Sequence, residues 1–151
     1  MLSLDDIRAV AAWAGETGHW IVADEIYGFQ CYRYARPAPS VLQLPADETG
    51  HILHISSASK TFALMGHRVG WISGHPQVIA RCASVASNIA GNVNTAAQSL
   101  VARAFSTPHA EVSSRCAQLE EQRDVLCSAL ESVPWLRWRK PDGGSSSGVN
   151  W

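Results

Sequence analysis

Near the start of the chain, apolar positions recur every three or four residues. Ile7, Val10, Ala11 and Ala14 share one helical face. Ser3 stands where an N-cap is wanted, Asp5 and Asp6 fall in the first turn, and Gly15 and Gly18 mark the end. The pattern then changes. His19-Trp-Ile-Val-Ala23 is an apolar run closing in Asp24-Glu25, which predicts a buried strand with acids at its C-terminal edge. Residues 33–50 carry Pro37, Pro39, Pro45 and Gly50 and read as a surface connection. His51–Ile55 and Val69–Ser73 predict two further strands, running into Ser56-Ser57 and Gly74.

The second half is helical in pattern. Pro76 suits the first turn of a helix to about Asn88. Asn94-Thr95 caps another to about Phe105, and Thr107-Pro108 opens a longer one that ends before Pro134. In that last helix Leu119, Val125, Leu126 and Leu130 read as a core stripe. Trp135–Arg139 predicts a final strand, and Gly143–Gly148 a flexible, low-complexity end. Helix, strand, loop, two strands and three helices add up to an α/β layered domain.

Composition narrows the partners. A length of 151 residues suits one domain with a real core. A net charge of −1, with arginines scattered, offers no footprint for nucleic acid. No apolar run approaches the roughly 20 residues of a membrane span, and the acidic, amphipathic N-terminus does not read as a signal peptide. Cys31, Cys82, Cys116 and Cys127 form no CxxC pair, so reduced thiols in a cytoplasm are expected.

Two groups of residues could carry chemistry. Asp24 sits at a strand end, where ligands gather in α/β sheets, and Tyr27 follows within one turn. A strand-end Asp capping its own turn beside a packing Tyr accounts equally for that pair. The second group is Ser57, Ser59, Lys60 and Arg68. Hydroxyls after a strand and a guanidinium suit a phosphate, and a lysine amine suits a carbonyl. Together they describe a phosphate-bearing aldehyde bound by lysine. The alternative is a solvated polar loop, against which Phe62, Leu64 and Met65 speak. The only lysines are Lys60 and Lys140.

The stretches VADEIYGFQ and SSASKTFALMGHRVGW resemble the class I/II aminotransferases, pyridoxal-phosphate enzymes of fold type I. Asp-x-x-Tyr, Ser-x-Ser-Lys and Gly-x-Arg-x-Gly occur here in the family's order. The resemblance implies part of the fold type I large domain, a mostly parallel sheet flanked by helices, with the start of the small C-terminal domain. It assigns residues 1–132 to the C-terminal half of the large domain and 133–151 to a truncated small domain with a flexible tail. It implies pyridoxal 5'-phosphate joined to Lys60 as an aldimine, Asp24 on the pyridine nitrogen, and Tyr27 on the ring 3-oxygen. Ser57 and Arg68 fall on the phosphate, with Ser59 a weaker phosphate ligand. The implied reaction moves an amino group between an amino acid and a 2-oxo acid, in a homodimer.

Several family features are not found: the Asn-Pro-x-Gly turn, the Gly-rich phosphate turn, the stacking aromatic and the substrate-carboxylate arginine. A fragment with impaired turnover is therefore expected. The same cofactor residues also serve β-lyases, decarboxylases, cyclases and acyl transferases, and a non-catalytic remnant would keep them too. Glu25 is expected to face away from Asp24 into a structural ion pair. His67 reads as a solvated loop residue, and no metal site is expected, since His51 and His54 point to opposite faces.

Overall fold

Ser3 caps the first helix, α1 (Leu4–Thr17), in a reciprocal box. The Asp6 N–H donates to Ser3 Oγ at 3.2 Å and the Ser3 N–H to Asp6 Oδ2 at 2.9 Å. The Ser3 hydroxyl also holds the Asp6 carboxyl below the ordinary carboxylate range. Gly18, in the left-handed region at φ 73°, ends the helix, while Gly15 lies inside it. The computed structural model describes residues 1–33, 37–106, 110–145 and the backbone of 149–150. Ile7, Ala11 and Ala14 are buried as the periodicity predicts, but Val10 is exposed.

Three strands follow: β1 (Ile21–Asp24), β2 (Ile52–Ser57) and β3 (Gly70–Gly74), in the order β1-β2-β3. β1 and β2 run parallel, with Asp24 opposite Ile55. β2 and β3 run antiparallel, with Ser57 opposite Gly70. The three described strands thus form one parallel and one antiparallel pair. The β2–β3 connection, residues 58–69, has one α-helix, α2 (Ala58–Thr61), whose four residues are too few to carry the chain back along β2 for a parallel return. β1 also starts later than the apolar run suggests. The Trp13 ring stacks on His19 at 4.9 Å and Trp20 meets His51 at 5.3 Å, so these rings pair with one another at the strand's entry.

Two cores hold the layers. Ile7 and Ala11 of α1 close over Val41, Leu44 and Ile52, against Ile21 and Ala23. In the second core, Ala97 and Val101 of α4 (Thr95–Phe105) pack on Ala58 and Val69. The Phe105 ring meets Phe62 and Trp71 edge-on at 4.9 and 5.4 Å. This second core seats α2 and hence Lys60. α3 (Pro76–Ile89) opens on its proline, and α4 is capped by Asn94, whose Oδ1 accepts the Ala97 N–H at 3.0 Å.

The long helix α5 (Ala110–Glu131) departs from expectation. Thr107 and Pro108, its expected start, lie outside the described residues, as does His109. Its buried stripe is Val112, Cys116 and Cys127. Val125 and Leu126 are exposed instead, so they form no core stripe. β4 (Arg137–Trp138) pairs antiparallel with β5 (Val149–Asn150). Gly143 and Gly144, expected to be flexible, lie against the body, Gly143 opposite Cys31 in an antiparallel bridge and Gly144 hydrogen-bonded. The Gly144 N–H donates to Gln30 O at 2.7 Å, and the Tyr32 hydroxyl donates to Gly144 O at 2.7 Å. A Cβ at Gly143 would lie 2.6 Å from Gln30 O, which explains a glycine there. Ser146, Ser147 and Gly148 lie outside the described residues. Among the described residues no helix is long and apolar enough to cross a membrane.

Candidate active site

β1 delivers Asp24 to its C-terminal end, exposed to solvent. Asp24 Oδ1 accepts the Ile26 N–H at 3.3 Å, so the carboxylate helps form the turn that follows. That turn carries Tyr27, whose carbonyl accepts the Gln30 N–H at 2.8 Å. Glu25 points the other way, as strand alternation requires. Its Oε2 lies 3.4 Å from His54 Nε2, and its carboxylate accepts the Ser40 hydroxyl and the Val41 N–H. His54 is buried, with Nδ1 3.1 Å from Ser73 Oγ. Glu25 thus contacts His54 on the side away from Asp24, and it pins the 40–41 segment behind the site.

β2 ends at Ser57, the N-cap of α2, where Ser57 Oγ accepts the Ser59 N–H at 3.2 Å. One turn later comes Lys60, half-buried, with Nζ 5.6 Å from the centroid of the Tyr27 ring. This contact joins the two groups of candidate residues. Beyond the turn Met65–His67 lies Arg68, exposed and in the left-handed region at φ 54°. Its Nη1 donates to Met65 O at 3.0 Å. Gly70 sits opposite Ser57, where a Cβ would lie 3.1 Å from Ser56 O. His67 is exposed. Among the described residues no cluster of His, Cys, Asp and Glu is placed to hold a metal.

The candidates do not converge on one cavity. Asp24 and Tyr27 line a cavity of about 320 Å³ beneath α1. Lys60 and Ser59 line another, of about 330 Å³, against α5. Arg68 lines a third, with Asn92 and Asn94. Two further residues touch the lysine turn and carried no signal in the sequence. Gln30 Nε2 donates to the Lys60 carbonyl at 3.3 Å, and Arg115 Nη2 to the Thr61 carbonyl at 3.3 Å. They lie thirty residues before and fifty-four after their partners, beyond the reach of any local motif.

Residues 1–145 match the family of class I and II aminotransferases. The chain belongs to that family. An asparagine–oxo-acid transaminase of Streptococcus mutans is 29% identical over 143 residues, covering 93% of this chain and 36% of the relative. An aspartate aminotransferase of Streptomyces avermitilis is 28% identical over 141 residues, covering 92% and 34%. The fold agrees. A Thermus thermophilus aspartate aminotransferase mutant in complex with tryptophan superimposes with a TM-score of 0.83 at 27% identity, covering 94% of this chain and 36% of that one. A Pyrococcus horikoshii aromatic aminotransferase gives 0.86 at 23% identity, which bears on the fold alone. The chain spans about a third of the length of these relatives.

For a chain of this aminotransferase family the donor set fits pyridoxal phosphate. The side chains present are a carboxylate, a phenol, hydroxyls, a guanidinium and a primary amine, donor types that suit a phosphate-bearing aromatic aldehyde, and they are spread over three cavities.

Proposed function

We propose that this chain supplies the lysine-bearing part of a pyridoxal-phosphate-dependent aminotransferase site, which moves an amino group between an amino acid and a 2-oxo acid. The observation that carries this reading is the approach of Lys60 Nζ to the Tyr27 ring, 5.6 Å away, just beyond the ends of the parallel strands β1 and β2. Strand C-terminal edges are where α/β sheets take their ligands. Pyridoxal phosphate supplies an aldehyde and a ring that takes up the electron pair left when a proton leaves a substrate carbon.

Each residue has a stated part. Lys60 Nζ holds the aldehyde end and carries the transferred proton. Asp24 keeps the pyridine nitrogen protonated, and Tyr27 donates to the ring oxygen. Ser57, Ser59 and Arg68 take the phosphate. In this reading residues 1–132 are the second half of the large domain and 133–151 begin the small one. The full site is a homodimer's, in the cytoplasm, in keeping with four cysteines that form no disulfide. A second reading, a non-catalytic descendant, draws on the separation of Asp24, Lys60 and Arg68 into three cavities.

Adding pyridoxal phosphate, reducing with borohydride and mapping the pyridoxyl label separates the two. Only Lys60, Lys140 and the N-terminal amine can carry it. A label confined to Lys60, lost in Lys60→Ala, is the expected result. A label spread over all three amines, or none, overturns the reading.

A further inference from the structure

The residue on which the proposed chemistry turns sits on the shortest α-helix among the described residues. α2 has four residues, far below the length at which a helix holds itself in water. Its last carbonyls lack intrahelical partners by construction. The Ala58 carbonyl accepts the Phe62 and Leu64 N–H groups at 3.0 and 3.4 Å. The carbonyls of Lys60 and Thr61 are taken by side chains from remote segments. Gln30 Nε2 donates to the first and Arg115 Nη2 to the second, each at 3.3 Å.

The Gln30 carboxamide shows what this arrangement costs. Its Oε1 is buried without a hydrogen-bond partner, and an unmet buried acceptor is destabilising. Turning the amide over would set its oxygen against the Lys60 carbonyl, so the acceptor fixes the orientation. A leucine of similar size would avoid the penalty and lose only the bond to Lys60 O. Arg115 is placed with equal economy. α5 packs Val112 and Cys116 inward one turn apart, and Arg115 emerges beside them to reach the end of α2. Gln30, Lys60 and Arg115 all line the same cavity.

We propose that Gln30 and Arg115 are positioning residues for Lys60, a two-sided clamp on the backbone of α2 that sets where the lysine amine stands. The inference rests on the reading of Lys60 given above. A side chain is aimed by the backbone that carries it, and small displacements of a reacting group cost rate steeply. Removing either donor leaves α2 attached through the packing of its Ala58 with Val69, Ala97 and Val101, but free to shift.

The test compares the full chain with Gln30→Leu and Arg115→Met, following pyridoxyl labelling by pyridoxal phosphate and borohydride over time. Lys140 and the N-terminus serve as internal controls. Each substitution is expected to slow labelling of Lys60 about five-fold, the worth of one ordinary hydrogen bond, with control rates unchanged and the melting temperature lowered by no more than about 4 °C. Arg115→Lys, which keeps a donor, should restore the rate to within about two-fold. Independently of any cofactor, amide exchange should quicken in the peptide spanning 58–64 and nowhere else. Should Gln30→Leu unfold the chain, Gln30→Met, of similar length, flexible and without a donor, carries the same expectation. Wild-type labelling rates and unchanged exchange in both variants overturn the clamp while leaving the role of Lys60 intact. No label on Lys60 in the unmodified chain overturns that role instead, and the exchange measurement then decides the clamp alone.

Discussion

Ala63 and Arg68 hold left-handed backbone, at φ 56° and 54°, on either side of the turn Met65–His67. Such a conformation costs a residue with a Cβ on the order of 1 kcal/mol. Replacing Ala63 with glycine should therefore raise the unfolding free energy by up to about 1 kcal/mol, measured by urea denaturation. A loss of stability would show that the Ala63 methyl earns its place by packing. A second residue effect concerns acid. The hydrogen bond from Arg123, then that from Lys140, holds the Asp124 carboxyl down to about 2, against an unshifted 3.8. A depressed carboxylate stabilises the fold above its unfolded value, and that contribution disappears as pH falls through the folded one. The difference in melting temperature between the chain and Asp124→Asn should thus be full above about pH 4 and vanish near pH 2. An unchanged difference across that range would refute the ion pair. At this scale the sequence was informative only where chemistry is local. Lys60 stood out by its neighbours along the chain, whereas Gln30 and Arg115 act through distant carbonyls.

Elements were legible where a cap or a breaker announces them. Ser3, Pro76 and Asn94 each start a helix as their chemistry demands. Ser3→Ala should cost about 1 kcal/mol of stability, the usual worth of an N-cap, read from the same denaturation curves. A cost near zero would mean that the first turn of α1 is held by packing alone. Failures came where an element's environment, not its own pattern, decides. In α5 the apolar Val125 and Leu126 stay exposed while two cysteines fill the buried stripe. Periodicity cannot weigh a cysteine against a valine. The antiparallel return of β3 was also hidden, because strand direction is set by the length and shape of the connection and not by residues within the strand.

For the molecule as a whole, the order Asp-x-x-Tyr, Ser-x-Ser-Lys, Gly-x-Arg-x-Gly carried the fold, and the superposition on aminotransferases of known structure agrees with it. The division of the candidate residues among three cavities was not legible, since it depends on how layers pack. The mixed sheet has a further consequence, for the order in which the parts assemble. Ile52–Gly74 is one continuous segment whose two strands pair antiparallel across a short connection, whereas β1 must wait for the chain of 25–51 to fold back before it can lie parallel to β2. Closing the longer loop is the costlier entropic step, so the nearer contacts form earlier. Truncating Ile72 to valine should then slow folding, with a φ-value above about 0.5, while Ile21→Val should chiefly speed unfolding. Reversed values would place β1 in the nucleus. In that sequence of events the lysine-bearing turn is made before Asp24 arrives beside it, and the site is completed by the docking of an edge strand onto a preformed hairpin.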